Sequence, residues 1–389
     1  MLPLAGQVRN YAWGSPTAIP EILGKDPTGE PLAEYWLGAH PQAPATVDGV
    51  PLDRLLRDHP EWVGKRCLRA FGDHFPVLMK LLAAAKPLSL QAHPDRDQAK
   101  AGFAREEAEG IASDAPERTY KDDWPKPEVL IALTEFEGLC GFREPAATLE
   151  LFRRVGVADD VDSVLNPLAQ RRGSAALAQV FLDILSLDEK DMVGKVVAAA
   201  RAHLGAPREL GDFARTAVEL DAHFPRQPSI LAALLLNRVH LEPGQAMYLP
   251  PRTLHSYLSG VGVEIMASSD NVLRGGLTKK HIDVDELIRV VEFAPQPFQP
   301  VAQEAEAPFY RYLTPAPEFT AWRGELNHAR AVLPATKACR IALATDGEAE
   351  LRSATGQLDL AVGEAALIPY GEEVTATGSA TLFISAPGV

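Results

Sequence analysis

The sequence predicts a mainly β protein built from two related β-barrels and a helical insertion. Three observations support this fold class. The 389-residue chain contains 32 prolines and 29 glycines, a density that favours many short strands joined by turns. Apolar residues recur with helical spacing between residues 146 and 236. A ten-residue pattern at 241–250 recurs weakly at 360–369, which suggests two copies of one β unit.

The composition is that of an ordinary globular protein, with 46% hydrophobic and 23% charged residues. A net charge of −14 argues against a nucleic acid or an anionic membrane surface as partner, so an anionic substrate would need a local cluster of cations. The three cysteines form no CxxC pair and the N-terminus lacks a signal-peptide pattern, so we expect a reducing, cytoplasmic location. No apolar run approaches the ~20 residues of a membrane span.

Short strands and turns are predicted for the first 95 residues or so. Segment 33–38 (AEYWLG) has the composition of a strand, and 52–56 and 75–82 are further apolar segments. Residues 88–93 alternate between apolar and polar side chains, as a half-buried strand does. This part of the chain is therefore predicted to contribute strands to the first β unit.

A helix and a buried strand are predicted next. Asp95 or Asp97 can cap a helix that runs to about Glu109, because an aspartate side chain accepts hydrogen bonds from the first free backbone N–H groups. Residues 128–133 (EVLIAL) are apolar and β-branched enough for a buried strand.

The helical insertion is predicted to span residues 146–236. Apolar residues from 192 to 200 and from 213 to 224 fall on one helix face each, which helix packing explains. Ser186 and Glu189 are candidates for a capping box.

The stretch 241–281 has the composition of a functional site. A predicted strand ends at a Pro-Pro corner, and His255 follows it. A turn is predicted at Ser259 and Gly260, with a second strand behind it that carries Glu264. A glycine-rich loop is predicted to hold the charged and amide residues that follow: Asp270, Asn271, Arg274, Lys279 and Lys280.

The second copy of the repeat has no histidine after its proline. We therefore predict that the first β unit carries the chemistry and that the second does not. The predicted domains are a discontinuous first unit, a helical domain and a C-terminal β unit: 1–145 with 237–304, 146–236, and 305–389.

Gln91 and His93 are the first candidate metal ligands. Their i, i+2 spacing places both side chains on one face of a strand. His255, after a strand end, is a natural third ligand, and Glu128, at the start of a buried strand, is a fourth. Three or four N/O ligands without a thiolate favour a divalent ion such as zinc. A structural role for each histidine is the alternative, since the ligands must converge in space.

Charged residues in apolar surroundings are further candidates, because a buried charge needs a partner or a polar cavity. Lys80 interrupts an apolar run, and Glu264 lies within a predicted buried strand. Lys126, between two prolines, is either an exposed lysine or a cation directed at the site. Arg274, flanked by glycine, has a planar guanidinium suited to a phosphate or a developing oxyanion.

Phosphate binding could also use the Ser89 hydroxyl and the Lys280 ammonium. The sequence has no P-loop, no GxGxxG after a strand and no GxSxG motif. Nucleotide binding and acyl transfer therefore lack their usual sequence support.

Several motifs together resemble the type I phosphomannose isomerase family. They occur in the family's order, and the resemblance covers most of the chain. Their residues are 10–15 (NYAWGS), 89–95 (SLQAHPD), 126–128 (KPE), 140–143 (CGFR), 249–260 and 270–278. The family usually has Asn-His before Lys-Pro-Glu, whereas Trp124 and Pro125 stand there in this chain. That departure bears on substrate preference.

The resemblance implies a fold of two cupin-like (jelly-roll) β-barrels with an α-helical domain. It also implies one zinc ion bound by four residues: Gln91, His93, Glu128 and His255. Ser89 and Lys280 match the family's phosphate-binding positions, and Arg274 matches a catalytic one. Five more residues match positions that line the family's pocket: Lys80, Lys126, Tyr257, Glu264 and Asp270.

We therefore predict a monomeric enzyme that interconverts mannose 6-phosphate and fructose 6-phosphate through a cis-enediol. Zinc would polarise the sugar oxygens, Arg274 would stabilise the enediolate, and Glu264 or Asp270 would move the proton. Lys126 completes the predicted catalytic group, and Lys80 and Tyr257 the substrate-binding one. The alternatives are an isomerase of another sugar phosphate or aldose, and a non-catalytic cupin that binds sugar.

Overall fold

The computed structural model describes residues 1–171, 173–188 and 190–389. The strands are, in chain order, β1 Leu2–Leu4, β2 Gln7–Arg9, β3 Glu34–Gly38, β4 Thr46–Val47, β5 Val50–Pro51, β6 Val77–Ala84, β7 Leu90–Ala92, β8 Glu128–Ala132, β9 Phe136–Phe142, β10 Leu236–Leu241, β11 Ala246–Leu249, β12 His255–Ala267, β13 Leu273–Gly276, β14 Gln303–Glu306, β15 Phe309–Tyr312, β16 Thr320–Asn327, β17 Ala331–Val332, β18 Arg340–Ser353, β19 Gly356–Leu360, β20 Ala365–Ile368 and β21 Thr375–Ala386.

The helices are α1 Ala18–Ile22, α2 Leu52–Asp58, α3 Pro60–Val63, α4 Lys65–Phe71, α5 Arg96–Ala108, α6 Pro145–Val155, α7 Ala158–Gln170, α8 Ser174–Leu185, α9 Lys190–Ala200, α10 Arg208–His223, α11 Ser229–Ala233 and α12 Val284–Val290. The prediction of a mainly β fold with a helical insertion is confirmed. None of the helices in the described ranges is long and apolar enough to cross a lipid bilayer.

The first sheet is organised by β12. Its C-terminal half pairs with β6 and β8, whereas its N-terminal half pairs with β7 and β9. The predicted turn at Ser259 and Gly260 is wrong, because β12 continues through both residues. Gly260 has φ of 122°, and a Cβ atom there would lie 2.6 Å from Phe136. A glycine thus lets the strand bend from one set of partners to the other without ending.

The second sheet has the order β1-β20-β18-β21-β16-β15-β14, with β17 and β19 paired at its side. Strands β18 and β21 span 14 and 12 residues, so the C-terminal part is not made only of short strands as predicted. Strand β1 joins this sheet although it lies at the start of the chain. No pairing among the described strands closes either sheet into a barrel.

The sequence repeat corresponds to two similar strand–turn–strand units. Strands β10 and β11 flank Gly244, and β19 and β20 flank Gly363. These glycines have φ of 86° and 82°, a conformation that glycine adopts without steric cost.

Helices α6 to α11 form one apolar core with the outer side of β7, β9 and β13. Phe152 and Phe213 pack edge to face within it, and Phe142 and Leu273 join it from the strands. The predicted apolar face from 192 to 200 is buried here. The predicted capping box at Ser186 and Glu189 falls partly outside the described residues. The division into domains remains a prediction.

Helix α5 begins as predicted. The Asp95 side chain accepts a hydrogen bond from the backbone N–H of Gln98, whose side chain accepts one from the backbone N–H of Asp95. This capping box fixes the chain immediately after the predicted ligand His93.

Candidate functional site

One row of cross-strand neighbours starts at His255, the first residue of β12. His255 pairs with Gln91 on β7, and Gln91 pairs with Arg274 on β13. Directly opposed residues of antiparallel strands project from the same face with Cβ atoms about 5 Å apart. Arg274 is therefore held in a strand and not, as predicted, in a glycine-rich loop. The sheet register brings together two candidate ligands and a guanidinium.

A second row crosses the other half of β12. Lys80 on β6 lies opposite both Trp36 on β3 and Glu264 on β12. Glu128 begins β8 and lies opposite Met266, two residues further along β12. Because alternate residues of a strand share a face, Glu128 lies on the same side of the sheet as Lys80 and Glu264. Side chains of both rows line one pocket.

Three of the four predicted metal ligands converge. Glu128 Oε1 lies 3.4 Å from His93 Nε2, and Glu128 Oε2 lies 3.7 Å from His255 Nε2. One ligand atom from each of these residues lies within 4.8 Å of the other two. Gln91 joins them through its pairing with His255. The sequence prediction of a convergent ligand group agrees with this geometry.

Hydrogen bonds orient both imidazoles for metal binding. His93 Nδ1 lies 2.7 Å from the backbone oxygen of Asn271, and His255 Nδ1 lies 3.0 Å from that of Thr253. A carbonyl only accepts, so Nδ1 donates and Nε2 carries the lone pair in each neutral ring. His93 Nε2 is buried without a hydrogen-bond partner among the described residues. An unpaired buried acceptor next to a carboxylate fits a cation ligand.

The electrostatics of the three ligands also suit a cation. Burial lowers the pKa of His93, and burial together with His93 lowers the pKa of His255 to about 4. Burial alone would raise the pKa of Glu128, but His93 and Lys126 outweigh it and hold that pKa below its usual range. Two neutral imidazoles and an ionised carboxylate are the protonation states that zinc requires.

Lys80 lies between two buried carboxylates. Its Nζ is 2.9 Å from Glu264 Oε2 and 3.4 Å from Glu34 Oε1. Tyr257 donates a hydrogen bond of 2.8 Å to the other Glu264 oxygen, and Trp36 donates one of 2.8 Å to Glu34. Burial alone lowers the pKa of Lys80, but Glu264 and Glu34 outweigh it and raise that pKa, so the lysine stays charged.

Asp270 is supported by a histidine that the sequence analysis did not single out. His40 Nδ1 accepts a hydrogen bond from the backbone N–H of Gln42, so the proton lies on Nε2, 3.3 Å from Asp270 Oδ2. Burial alone would raise the pKa of Asp270, but the hydrogen bond from His40 and the charge of Lys126 lower it. Asp270 is thereby kept ionised.

The pocket has a volume of about 800 Å³ and an excess of positive charge. Five of its cations form no ion pair with any described acidic residue: Lys86, Lys121, Arg274, Lys279 and Lys280. Burial and the nearby Arg274 charge lower the pKa of Lys280. Unpaired cations in a chain of net charge −14 indicate a binding site for an anion.

Most of the predicted site residues line this pocket. His93 is not one of the lining residues, but it contacts Glu128, which is. The lining residues among them are Lys80, Ser89, Gln91, Lys126, Glu128, His255, Tyr257, Glu264, Asp270, Arg274 and Lys280. Four further residues in or beside the site were not predicted from the sequence: Glu34, Trp36, His40 and Lys86. The carboxylate of Glu34 in the predicted strand 33–38 was an available signal, because a charge in a buried strand needs a partner.

Trp124, one of the two residues at which this chain departs from the family pattern, lies beside the site. Its indole is stacked on the His74 imidazole with ring centroids 4.2 Å apart, and the Arg96 guanidinium carbon lies 3.5 Å from its centroid on the ring face. Trp124 is not among the residues that line the pocket. The indole therefore anchors the chain between α5 and β8.

Comparisons with known proteins place the chain among mannose-6-phosphate isomerases by similarity. The family model for the catalytic domain of type I phosphomannose isomerase matches residues 1–145. The mannose-6-phosphate isomerase of Escherichia coli K12 is 36% identical, with 98% of each chain covered. Mannose-6-phosphate isomerase 1 of Arabidopsis thaliana is 29% identical, with 98% of this chain and 92% of the plant protein covered.

Two solved structures are similar over the full chain. A crystal structure of mannose 6-phosphate isomerase bound with zinc and yttrium has a TM-score of 0.90 at 33% identity, with 100% of both chains covered. The apo form from Salmonella typhimurium has a TM-score of 0.89 at 33% identity, with 100% of this chain and 99% of that chain covered.

Proposed function

The chain belongs to the type I phosphomannose isomerase family, and from this premise we propose that it is an aldose–ketose isomerase that interconverts mannose 6-phosphate and fructose 6-phosphate with one zinc ion. The observation that carries the proposal is the ligand group of His93, Glu128 and His255 beside a pocket with unpaired cations. The group supplies a metal site, and the cations supply a phosphate site.

Zinc fits the donor set. Two imidazole nitrogens, one carboxylate oxygen and the amide oxygen of Gln91 are hard to borderline ligands, and no thiolate lies among them. His93, Glu128, His255 and Gln91 would hold the ion in front of the pocket. When bound, zinc supplies a Lewis acid that polarises the sugar oxygens.

The phosphate would bind at the cationic side of the pocket. Arg274 and Lys280 repel each other, and a dianion bound at Lys280 relieves this repulsion. Ser89 and Lys279 line the same pocket and add a hydroxyl and a further charge. Binding at this remote group would orient carbons 1 and 2 of the sugar towards the ligand group.

We assign the proton transfer between carbons 1 and 2 to Asp270. Both oxygens of Glu264 are engaged, one by Lys80 and one by Tyr257. Asp270 Oδ2 receives the His40 hydrogen bond, whereas Oδ1 has no hydrogen-bond partner among the described residues. An ionised carboxylate with an open oxygen is suited to act as a general base. Lys126 and Arg274 would stabilise the enediolate charge.

An isomerase of another sugar phosphate is the second candidate. Trp124 and Pro125 replace the usual Asn-His pair, so no imidazole is available at this position. A change of substrate preference would follow if that imidazole discriminates between sugars. The same metal and phosphate sites would serve either substrate.

A coupled assay tests the proposal. Purified protein should convert mannose 6-phosphate to fructose 6-phosphate, should lose this activity in a chelator and should regain it with zinc. Lys280→Ala should raise KM for the phosphorylated sugar at least tenfold, whereas the exposed Lys25→Ala control should leave KM unchanged. Turnover of a different sugar phosphate alone would support the second candidate. Bound zinc without turnover of any sugar phosphate would refute both.

A further inference from the structure

A buried set of hydrogen bonds joins segment 121–125 to segment 268–272, which carries both Asp270 and Asn271, the hydrogen-bond acceptor of His93. We define the clasp as Asp122, Ser269 and Asn271. We propose that Asn271 is the positioning residue for the zinc ligand His93 and that Asp122 is the positioning residue for Asp270. The part that concerns turnover depends on the proposed function, whereas the part that concerns zinc binding does not.

Asn271 is fully buried and all of its polar groups are engaged. Its backbone oxygen accepts the hydrogen bond from His93 Nδ1 at 2.7 Å. Its side-chain oxygen accepts from the backbone N–H of Lys121 at 2.7 Å, and its side-chain nitrogen donates to the backbone oxygens of Asp122 and Trp124, both at 2.8 Å. The side chain thus determines where the backbone oxygen that faces His93 lies.

Asp122 performs the corresponding task for the neighbouring residue. Its Oδ2 accepts a hydrogen bond of 2.9 Å from the backbone N–H of Asp270. Its Oδ1 accepts from the Ser269 hydroxyl at 2.8 Å and from the backbone N–H of Trp124 at 2.9 Å. The Asn271 amide is a fourth donor, at 3.2 Å from Oδ1. A carboxylate with four donors is fixed in one orientation, which sets the direction of the Asp270 side chain.

The clasp is needed because no strand pairing fixes these segments. Residues 121–125 and 268–272 lie between strands, so the ladders that align Gln91 with His255 do not extend to them. His93 also lies just beyond β7. Side-chain hydrogen bonds therefore replace the ladder in the segments that support His93 and Asp270.

Trp124 connects the clasp to its surroundings. Its backbone oxygen accepts from Asn271, and its indole is held between His74 and Arg96. The residue that departs from the family pattern is thus an anchor for the loop that holds Asn271. This places the substitution in the support of the metal site and not in contact with a sugar.

Zinc affinity distinguishes positioning from simple stabilisation. Outer partners of metal-binding histidines typically contribute 10- to 100-fold to metal affinity. Asn271→Ala should weaken zinc binding, measured by competition with a chromogenic chelator, by about that factor. The matched control is Asn237→Ala, since the Asn237 amide also donates to several backbone oxygens but contacts no predicted ligand. Asn237→Ala should change zinc affinity by less than about threefold, although it should destabilise the apo-protein about as much as Asn271→Ala does.

Asp122→Asn tests the second half of the proposal. The variant replaces the Asp122 oxygen that accepts from the Asp270 N–H by an amide donor. We therefore expect kcat to fall, whereas zinc affinity should stay unchanged. The cobalt-substituted protein provides a spectroscopic check: its visible absorption should change in Asn271→Ala and not in Asp122→Asn. If Asn271→Ala does not fold, Ser269→Ala replaces it, because this change removes the hydroxyl acceptor of the Asn271 N–H.

Equal zinc affinities in the Asn271 and Asn237 variants would overturn the role of Asn271. An Asp122→Asn variant with unchanged kcat would overturn the role of Asp122. Absence of turnover in the wild-type protein would refute the proposed function but leave the zinc measurements able to support or refute the role of Asn271.

Discussion

Lys80 and Glu264 form a buried ion pair, with Nζ and Oε2 2.9 Å apart and both side chains almost inaccessible to solvent. The pair joins two neighbouring strands of the first sheet and faces the pocket. Glu34 shares the same lysine, so one cation faces two buried carboxyl groups. The cation therefore keeps two carboxylates in a place where neither would be stable alone.

Replacing Lys80 by methionine should destabilise the protein by about 3–5 kcal/mol, because two buried carboxyl groups lose the cation that pairs with both of them. Urea unfolding of the zinc-free protein measures this change. The double variant Lys80→Met/Glu264→Gln should lose less than the sum of the two single variants. Additive losses would show that the pair is not coupled.

Zinc should stabilise the fold as well as support turnover. At a free concentration of 1,000 times Kd, an ion that binds only the folded state adds about 4 kcal/mol. Thermal unfolding with and without chelator should show this increase in the wild-type protein, and His255→Ala should abolish it. The control is His240→Ala, because His240 is exposed and lies outside the ligand group. Retention of the full increase in His255→Ala would contradict the ligand assignment.

Gly260→Ala should be far more damaging than the same change at Gly24. Both glycines have positive φ, but a Cβ atom at Gly260 would lie 2.6 Å from Phe136 and 2.7 Å from the backbone oxygen of Glu135, whereas Gly24 has open space. We expect a loss of about 1 kcal/mol at Gly24 and about 3 kcal/mol or more at Gly260. Chemical denaturation checks both values. Similar losses would mean that β12 tolerates a side chain at its bend.

Stability should fall with acid partly because of His74. Burial, with a smaller contribution from Arg96, lowers its pKa from 6.5 to about 4 in the folded protein. Between pH 6.5 and 4 the unfolded chain therefore binds a proton that the folded chain does not, so stability decreases as the pH falls. The difference amounts to about 3 kcal/mol.

His74→Phe tests this effect because it retains a ring against Trp124 and cannot be protonated. Between pH 6.5 and 4, the free energy of unfolding of this variant should fall by about 3 kcal/mol less than that of the wild-type protein. His240→Phe, at an exposed position, serves as the control. A parallel pH dependence in His74→Phe and wild type would refute the shift.

Local sequence patterns were sufficient for several elements. The strands at Glu34–Gly38 and Glu128–Ala132 occur in segments whose composition predicts strands, and α5 begins at the predicted aspartate. These features depend on residues within one turn or a few positions, so a single stretch contains the information. The residue types of the metal ligands were recognisable for the same reason.

Longer-range features were not predictable in this way. The bend of β12 requires Phe136 and Glu135 as neighbours, and the position of Arg274 in a strand requires Gln91 as its partner. Glu34 and His40 enter the site only through contacts with Lys80 and Asp270. Nothing in the local pattern around any of these residues specifies its partner.

The amino-acid sequence by itself determined the kinds of elements, the ligand types at Gln91, His93, Glu128 and His255, and the membership of a family. Tertiary structure alone decided how these groups meet: His93 receives its orientation from Asn271, which lies 178 residues away in the chain. The physical reason is that propensity and periodicity act over a few residues, whereas strand register and buried hydrogen bonds depend on which distant segments pack together.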